Sequence, residues 1–290
     1  MRPDVLFLDC YGTLVEGDRP VIEAVVHDAA ERAGVDPEAV DRPWWDEFSA
    51  LCAEAVGPRF EKQYELEVQS LSSVLERLGS PLPRRVVEQV MAPLVDYWRG
   101  ASPYPDAVEL LETWTACPIV IVSNIDRADI VEAVRRLPPV AAVITSEDAR
   151  AYKPHVAVFE LALAMTGVSA DRVVHVGDSW SSDVLGATAA GIRAVHIDRT
   201  ARQTLPERLT SVRERRTPVP EPVERHATRG PEPVEGRPLP VPELVDGHPT
   251  PNSEPVVGRP LPVPELLEGQ VGSQVARVTS LLDLVGLLSV

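Results

Sequence analysis

Aromatic residues make up only 5% of this 290-residue chain, and cysteine occurs three times. Cys10, Cys52 and Cys117 are odd in number and far apart, so they form neither a disulfide framework nor a metal-ligand pattern. That usage suits a reducing compartment, and the expected location is the cytoplasm. Basic residues are scarce as well: 28 Lys and Arg against 44 Asp and Glu leave a formal net charge of -16. Nucleic acid and anionic membrane surfaces both demand a basic face and are excluded as expected partners. A small anionic substrate, held locally by a few cations and backbone amides, is not. Long hydrophobic runs are also missing. The opening MRPDVLFLDC carries about five apolar residues in a row, far short of a signal segment or a membrane span.

What the chain has in quantity is apolar residues, at 44%, and 29 prolines. Many of the prolines fall between about 201 and 270, where GRPLPVPELVDGH from Gly236 recurs as GRPLPVPELLEGQ from Gly258. A repeat this short, saturated with proline and charge, has no core to bury, and the composition predicts a disordered or polyproline-like spacer. PLPVPE also has the spacing of a polyproline ligand, which leaves weak partner binding through this segment as the minority reading. Beyond it, apolar residues at Val275, Val278, Leu281, Leu282, Val285 and Leu288 predict a final helix over 271–290 that returns to the main body.

Upstream of the repeats, apolar runs at 5–8, 119–122, 142–144, 173–176 and 194–197 predict strands, and helical stretches at 105–116, 128–137 and 155–166 separate them. This is the alternation of an α/β fold with a Rossmann-like parallel sheet. Between the first two strands, VIEAVVHDAAERAG, WWDEFSALCAEAV, EKQYELEVQSLSSVLERLG and RRVVEQVMAPLVDYW each carry an amphipathic pattern, predicting a four-helix bundle inserted over the strand ends. The domain reading is therefore a core of 1–16, 103–200 and 271–290, a helical-bundle cap of 17–102, and the spacer of 201–270. Trp44, Trp45 and Trp98 read as bundle core.

Each predicted strand ends in polar residues, and in an open parallel sheet those carboxyl ends form the ligand crevice. The first runs straight into LFLDCYGTLVEGD, where Asp9 is a bare carboxylate at the end of a buried strand. Such a group costs several kcal/mol (roughly) unless something uses it. Further along come Ser123-Asn124, Lys153-Pro154 and GDSWSSD with Asp178 and Asp183. Singly these have ordinary explanations: Ser123 as a helix cap, Lys153 as a surface lysine, Asp183 in a first helical turn. Four in order, each after a strand, do not. Cys10 points away from Asp9 by strand alternation, the histidines at 155, 175 and 196 show no ligand spacing, and Asp126 reads as the cap of the helix that follows it.

The ordered set DxxGT, SN, KP and GDxxxxD resembles the haloacid dehalogenase-like hydrolase superfamily of the helical-cap type. The resemblance covers about 2–199 plus the closing segment. It implies that Asp9 attacks the substrate and forms a covalent aspartyl intermediate, a role open to a carboxylate. It implies that Gly12 lets the chain turn beside Asp9, that Gly12, Thr13, Ser123 and Asn124 hold the transferring group, and that Lys153 neutralises its charge. Asp178 and Asp183, with an oxygen of Asp9 and the carbonyl of Tyr11, make an oxygen-rich site of the kind Mg²⁺ prefers.

Tyr11 leaves the chemistry open between two readings. In phosphatases of the family the residue two after the nucleophile is usually a second aspartate acting as general acid. DxYGT instead resembles the 2-haloacid dehalogenases, whose leaving halide needs no proton, which need no metal, and whose cap supplies an arginine ahead of a helix resembling FEKQYE; Arg59 lies in that neighbourhood. Because Asp178 is retained, the expectation is Mg²⁺-dependent hydrolysis of a small phosphorylated metabolite, either with a good leaving group such as an acyl or aryl phosphate that needs no acid, or with Tyr11 as a weak proton donor whose unperturbed phenol is poorly matched to neutral pH. The alternatives are a metal-independent 2-haloacid dehalogenase and a catalytically weak protein that binds a ligand or partner.

Overall fold

Strands β1 (Val5–Leu8), β2 (Ile119–Ser123) and β4 (Val173–Gly177) read VLFL, IVIVS and VVHVG, and every position in them is buried. Unbroken apolar runs of this kind are what strands covered on both faces require. In the computed structural model of the chain, which describes residues 2–199 and 275–288, these strands join β3 (Ala142–Thr145), β5 (Arg193–Ile197) and β6 (Ala276–Val278) in a parallel sheet ordered β3-β2-β1-β4-β5-β6. The α/β, Rossmann-like class read from the pattern is the class observed. With β1 central and the order reversing on either side of it, the crevice opens at the carboxyl end of β1. The repeats at 201–270, and the readings of them as spacer or docking segment, lie outside the described residues. Among the described residues no helix is long and apolar enough to cross a membrane.

The closing segment corrects one expectation. Residues 276–278 extend the sheet as β6, paired in parallel with β5, and among the described residues of the segment only Asp283–Leu288 is helical. Asp106, at the start of the helix Pro105–Thr113, ties this segment down: it accepts from Ser280 Oγ at 2.8 Å and Leu281 N at 3.0 Å. The same carboxylate takes a two-pronged bond from Arg199, whose guanidinium also donates to the carbonyl of Thr13. Arg199 thus fastens the loop after β1 to both β5 and the closing segment.

Four helices fill the interval between β1 and β2: α1 (Arg19–Ala33), α2 (Glu38–Glu54), α3 (Gln63–Arg77) and α4 (Arg84–Gly100). On α4 the buried positions Val87, Val90, Met91, Leu94 and Trp98 follow the helical repeat, and such a stripe has to find a partner. Trp44 is buried and donates from Nε1 to Ser70 Oγ at 3.0 Å, joining α2 to α3. Trp45 does not belong to the bundle core as expected: it is 61% exposed, because its neighbour Trp44 takes the inward-facing position.

The insert is held to the sheet half by specific bonds. Asp126, in the turn after β2, accepts from the backbone N–H groups of Gln63 at 3.1 Å and Tyr64 at 3.4 Å. It therefore caps α3, and makes no side-chain bond to the helix that follows it, Arg127–Val134, which the local pattern had assigned to it. Tyr152 Oη donates to the Glu61 carbonyl at 2.9 Å, and its ring stacks on Phe60 with centroids 5.3 Å apart. Lys62 pairs with Glu147 at 2.8 Å.

Candidate active site

Asp9 follows β1 directly, and its backbone N–H donates to Val176 O on β4, which fixes where the carboxylate emerges. It is 6% exposed. Lys153 Nζ, 4% exposed, donates to Asp9 Oδ1 at 2.7 Å, to Asp183 Oδ1 at 2.6 Å and to Val122 O at 3.0 Å. All three of the ammonium's hydrogens are therefore committed, and the lysine stands between two of the three acids. Burial alone would lower the pKa of Lys153, but Asp183 and Asp9 outweigh it and hold it above the ordinary lysine range.

The third acid is Asp178. One carboxylate oxygen from each of Asp9, Asp178 and Asp183 lies within 4.8 Å of the other two. Two glycines leave room for this crowding. A Cβ on Gly12, whose φ of +82° already disfavours any side chain, would sit 2.4 Å from Asp178 Oδ2; a Cβ on Gly177 would sit 2.2 Å from Asp183 Cγ. Thr13 Oγ1 donates to Asp178 Oδ1 at 3.2 Å and accepts from Asp178 N at 3.1 Å, fixing that side chain in place.

The three acids differ sharply in their surroundings. Burial raises Asp183, but Lys153 and His175 outweigh it, and its carboxyl lies well below the usual range. His175 Nε2 approaches Asp183 Oδ1 at 2.9 Å, and Ser179 N donates to the other oxygen at 3.0 Å. Asp178 has no bond to Lys153, whose pull on it is outweighed. Burial first, then Asp9 and Asp183, push it up to about 8. Burial likewise raises Asp9 against the pull of Lys153. A trio of carboxylates, two buried and Asp178 half-buried, with one lysine is short of positive charge, and an all-oxygen donor set of this type fits a hard divalent cation such as Mg²⁺.

Asn124 and Ser123 both line the cavity over Asp9. The Asn124 amide, however, bonds at both ends to Lys153: Nδ2 donates to Lys153 O at 2.9 Å, and Oδ1 accepts from Lys153 N at 2.7 Å. It positions the lysine loop, whose Lys153-Pro154 peptide is cis. Tyr11 also lines the cavity, but its hydroxyl donates to the Trp98 carbonyl at 2.7 Å, and burial pushes the phenol up, away from neutral pH. It is built as a tether between the loop after β1 and the end of α4. Burial also pushes the Cys10 thiol up, as befits a strand filler.

The cavity has a volume of about 300 Å³ and is walled on one side by these strand ends and on the other by the insert, including Asp18, Arg19, Trp44, Phe48, Gln63 and Glu67. Arg59 is not among its lining residues; it sits exposed in the single turn Gly57–Arg59. The insert's cation at the cavity is Arg19, held by Glu23 at 2.9 Å and by Asp41 at 2.7 Å. His175 and His196 show no ligand spacing in the sequence, yet the first bonds Asp183 and the second reaches the Asp178 carbonyl at 2.9 Å. Their place on the two strands flanking GDSWSSD was the available signal. Glu67 gave none.

A parallel sheet that gathers an aspartate, a lysine and two further aspartates at its strand ends, beneath a helical insert, defines a class of hydrolase. The chain belongs to the haloacid dehalogenase-like hydrolases, whose family pattern matches residues 3–191. It is 38% identical over 100 residues to haloacid dehalogenase-like hydrolase domain-containing protein 3 of Danio rerio, an alignment spanning 33% of this chain and 41% of that protein. It is 27% identical over 239 residues to a phosphoserine phosphatase of Thermus thermophilus, spanning 70% of this chain and 92% of that one. Its fold is similar to that of the L-2-haloacid dehalogenase from Xanthobacter autotrophicus, with a TM-score of 0.53 and 20% identity over 68% of this chain and 78% of the other.

Proposed function

We propose that this hydrolase is a phosphohydrolase of small phosphorylated metabolites, working in the cytoplasm with Mg²⁺ through a covalent intermediate on Asp9. The observation that carries the reading is the third carboxylate: Asp178 occupies space that Gly12 leaves for it, with one of its oxygens within 4.8 Å of those of Asp9 and Asp183. A metal-free displacement at carbon has no use for that acid. The likeness to a phosphoserine phosphatase over most of the chain supports the same choice.

Asp9, Asp178, Asp183 and the Tyr11 carbonyl would hold Mg²⁺, which when bound neutralises charge on the transferring phosphoryl group. In the first step a carboxylate oxygen of Asp9 forms a bond to phosphorus, the bond from phosphorus to the leaving oxygen breaks, and that oxygen departs with the electron pair. Water then cleaves the aspartyl phosphate, releasing inorganic phosphate and restoring the carboxylate. Lys153 keeps Asp9 ionised and oriented through its 2.7 Å bond, and Ser123 and the backbone amides after Asp9 cradle the phosphoryl oxygens. The residues 17–102 act as the cap that excludes water.

Because the Tyr11 hydroxyl is engaged by Trp98, a leaving group that needs no proton suits this site best: an aryl or acyl phosphate or a phosphoanhydride. Hydrolysis of an aryl phosphate with and without EDTA tests the reading. Turnover that persists in EDTA, or in Asp9→Asn, overturns it. Tyr11 itself favours the second reading, a 2-haloacid dehalogenase, for which chloride release from 2-chloropropionate in metal-free buffer is the measurement.

A further inference from the structure

The wall that the insert turns toward Asp9 carries an acid without a counter-ion. Glu67 lies on α3, is 6% exposed, and lines the cavity. Its carboxyl has no hydrogen-bonding or cationic partner among the described residues; the charge it faces is that of Asp18, another acid of the same cavity. One turn before it on α3, Gln63 also lines the cavity and presents a buried Oε1 with no hydrogen-bond partner. Among the described residues the single cation on this wall is Arg19, which already binds Asp41 and Glu23. Trp44, Trp45 and Phe48 complete the wall with aromatic surface.

Two acceptors without donors, Gln63 Oε1 and the Glu67 carboxyl, a second acid at Asp18 and aromatic faces form a chemically specific surface. It repels a second anionic group on a substrate, since no described cation there is free of a carboxylate. It accepts a group that brings hydrogen-bond donors and positive charge, and aromatic faces attract the same group.

We infer that Asp18, Gln63 and Glu67 form a subsite for a protonated amine on the leaving group, so that the substrate is an amine-bearing phosphate ester or anhydride whose organic part carries no further anion. This rests on the phosphohydrolase reading and narrows its substrate class. Burial, with Asp18 adding to it, holds the Glu67 carboxyl well above the ordinary range, as expected for an acid that awaits its counter-charge from outside the chain. The same wall disfavours a 2-haloacid, whose carboxylate would meet Glu67 and Asp18.

The test compares three aryl phosphates with similar leaving groups in the full chain with Mg²⁺: 4-(aminomethyl)phenyl phosphate, phenyl phosphate and 4-(carboxymethyl)phenyl phosphate. The expected kcat/KM order is amine, then neutral, then acid, with about a tenfold step from neutral to amine, the scale of one well-placed charge pair. Glu67→Gln, nearly isosteric, is expected to remove most of the amine preference, read as the ratio of kcat/KM for the amine compound to that for phenyl phosphate in the same variant. Equal rates on all three compounds, or an unchanged preference in Glu67→Gln, overturn the subsite while leaving the phosphohydrolase reading intact. Should none be hydrolysed, that reading is what fails. Calorimetric binding of 4-(aminomethyl)phenylphosphonate against phenylphosphonate then still decides the subsite, equal affinities counting against it.

Discussion

Replacing Lys153 by methionine keeps the unbranched side chain up to the ε position and removes its charge. In the native protein that charge bonds Asp9 at 2.7 Å and Asp183 at 2.6 Å, both almost wholly buried. Without it two carboxylates whose oxygens lie within 4.8 Å face each other. At an effective dielectric of about 20, charges at that separation repel by about 3 kcal/mol. Stranding a buried partner of a broken ion pair costs about 3–5 kcal/mol in general, so the two routes agree on the scale. The loss is expected in urea denaturation at pH 7.5 in EDTA.

Its pH dependence has a definite sign. Lys153 is held above its ordinary value of 10.5, so the stability it contributes is whole below that pH and is lost as pH rises through the higher folded value. Asp183 is held below its ordinary 3.8, so its contribution is present above that pH and is lost as pH falls through the lower folded value. The native pair is therefore intact from about pH 5 to 10. In Lys153→Met the carboxylates repel and their folded pKa values move up, so the penalty shrinks as pH falls from 7.5 to 5. Mg²⁺, which replaces the missing positive charge, is expected to restore part of the stability. A loss below about 1 kcal/mol at pH 7.5, or one equal at both pH values, refutes the electrostatic account of the cluster.

Mg²⁺ at about 100 times its Kd is expected to stabilise the wild type by about 2.7 kcal/mol, and Asp178→Asn to abolish most of that gain; an undiminished thermal shift in the variant would remove Asp178 from the ligand set. Since the Asp178 carboxyl, pushed up to about 8, must lose its proton to ligate, Mg²⁺ affinity measured by calorimetry is expected to rise with pH until about 8 and then level off; affinity flat from pH 6 to 8 contradicts this. Tyr11→Phe is expected to cost about 1 kcal/mol through the bond to Trp98 and to leave kcat on an aryl phosphate within a few-fold, whereas a hundredfold fall would restore the phenol as proton donor. Asp126→Ala uncaps α3 and is expected to cost about 1–2 kcal/mol; no change in urea midpoint would show that water caps the helix equally well.

What could be read from the chain was whatever depends on local pattern. The buried runs of β1, β2 and β4 have one physical reading, and the polar residues closing them fall at strand ends by register alone. β6 was misread because three residues, Ala276–Val278, are too few to display a period of two and run into a helix sharing the same apolar residues. Asp126 was misread for a related reason. A capping aspartate looks the same whether it serves the helix beside it or one that begins 63 residues earlier. Asn124 and Thr13 stand in motif positions, yet their hydrogen bonds run to Lys153 and Asp178, which no spacing rule reveals.

Glu67 marks the limit most clearly. On α3 the buried positions include Leu66, Glu67, Val68, Ser70 and Leu71, a band too broad for a helix that packs against one neighbour. A stripe that packs only against α2 and α4 would leave position 67 in solvent, and a glutamate there would read as a surface residue. It is buried because a third surface, the strand ends bearing Asp9 and Lys153, closes over that edge of the helix and leaves a cavity between. A polar residue inside a helix's buried arc is therefore informative only once it is known what the arc faces. Here it borders the cavity that also holds the nucleophile, where a carboxylate without a partner would have the use proposed for it and the bundle alone offers none.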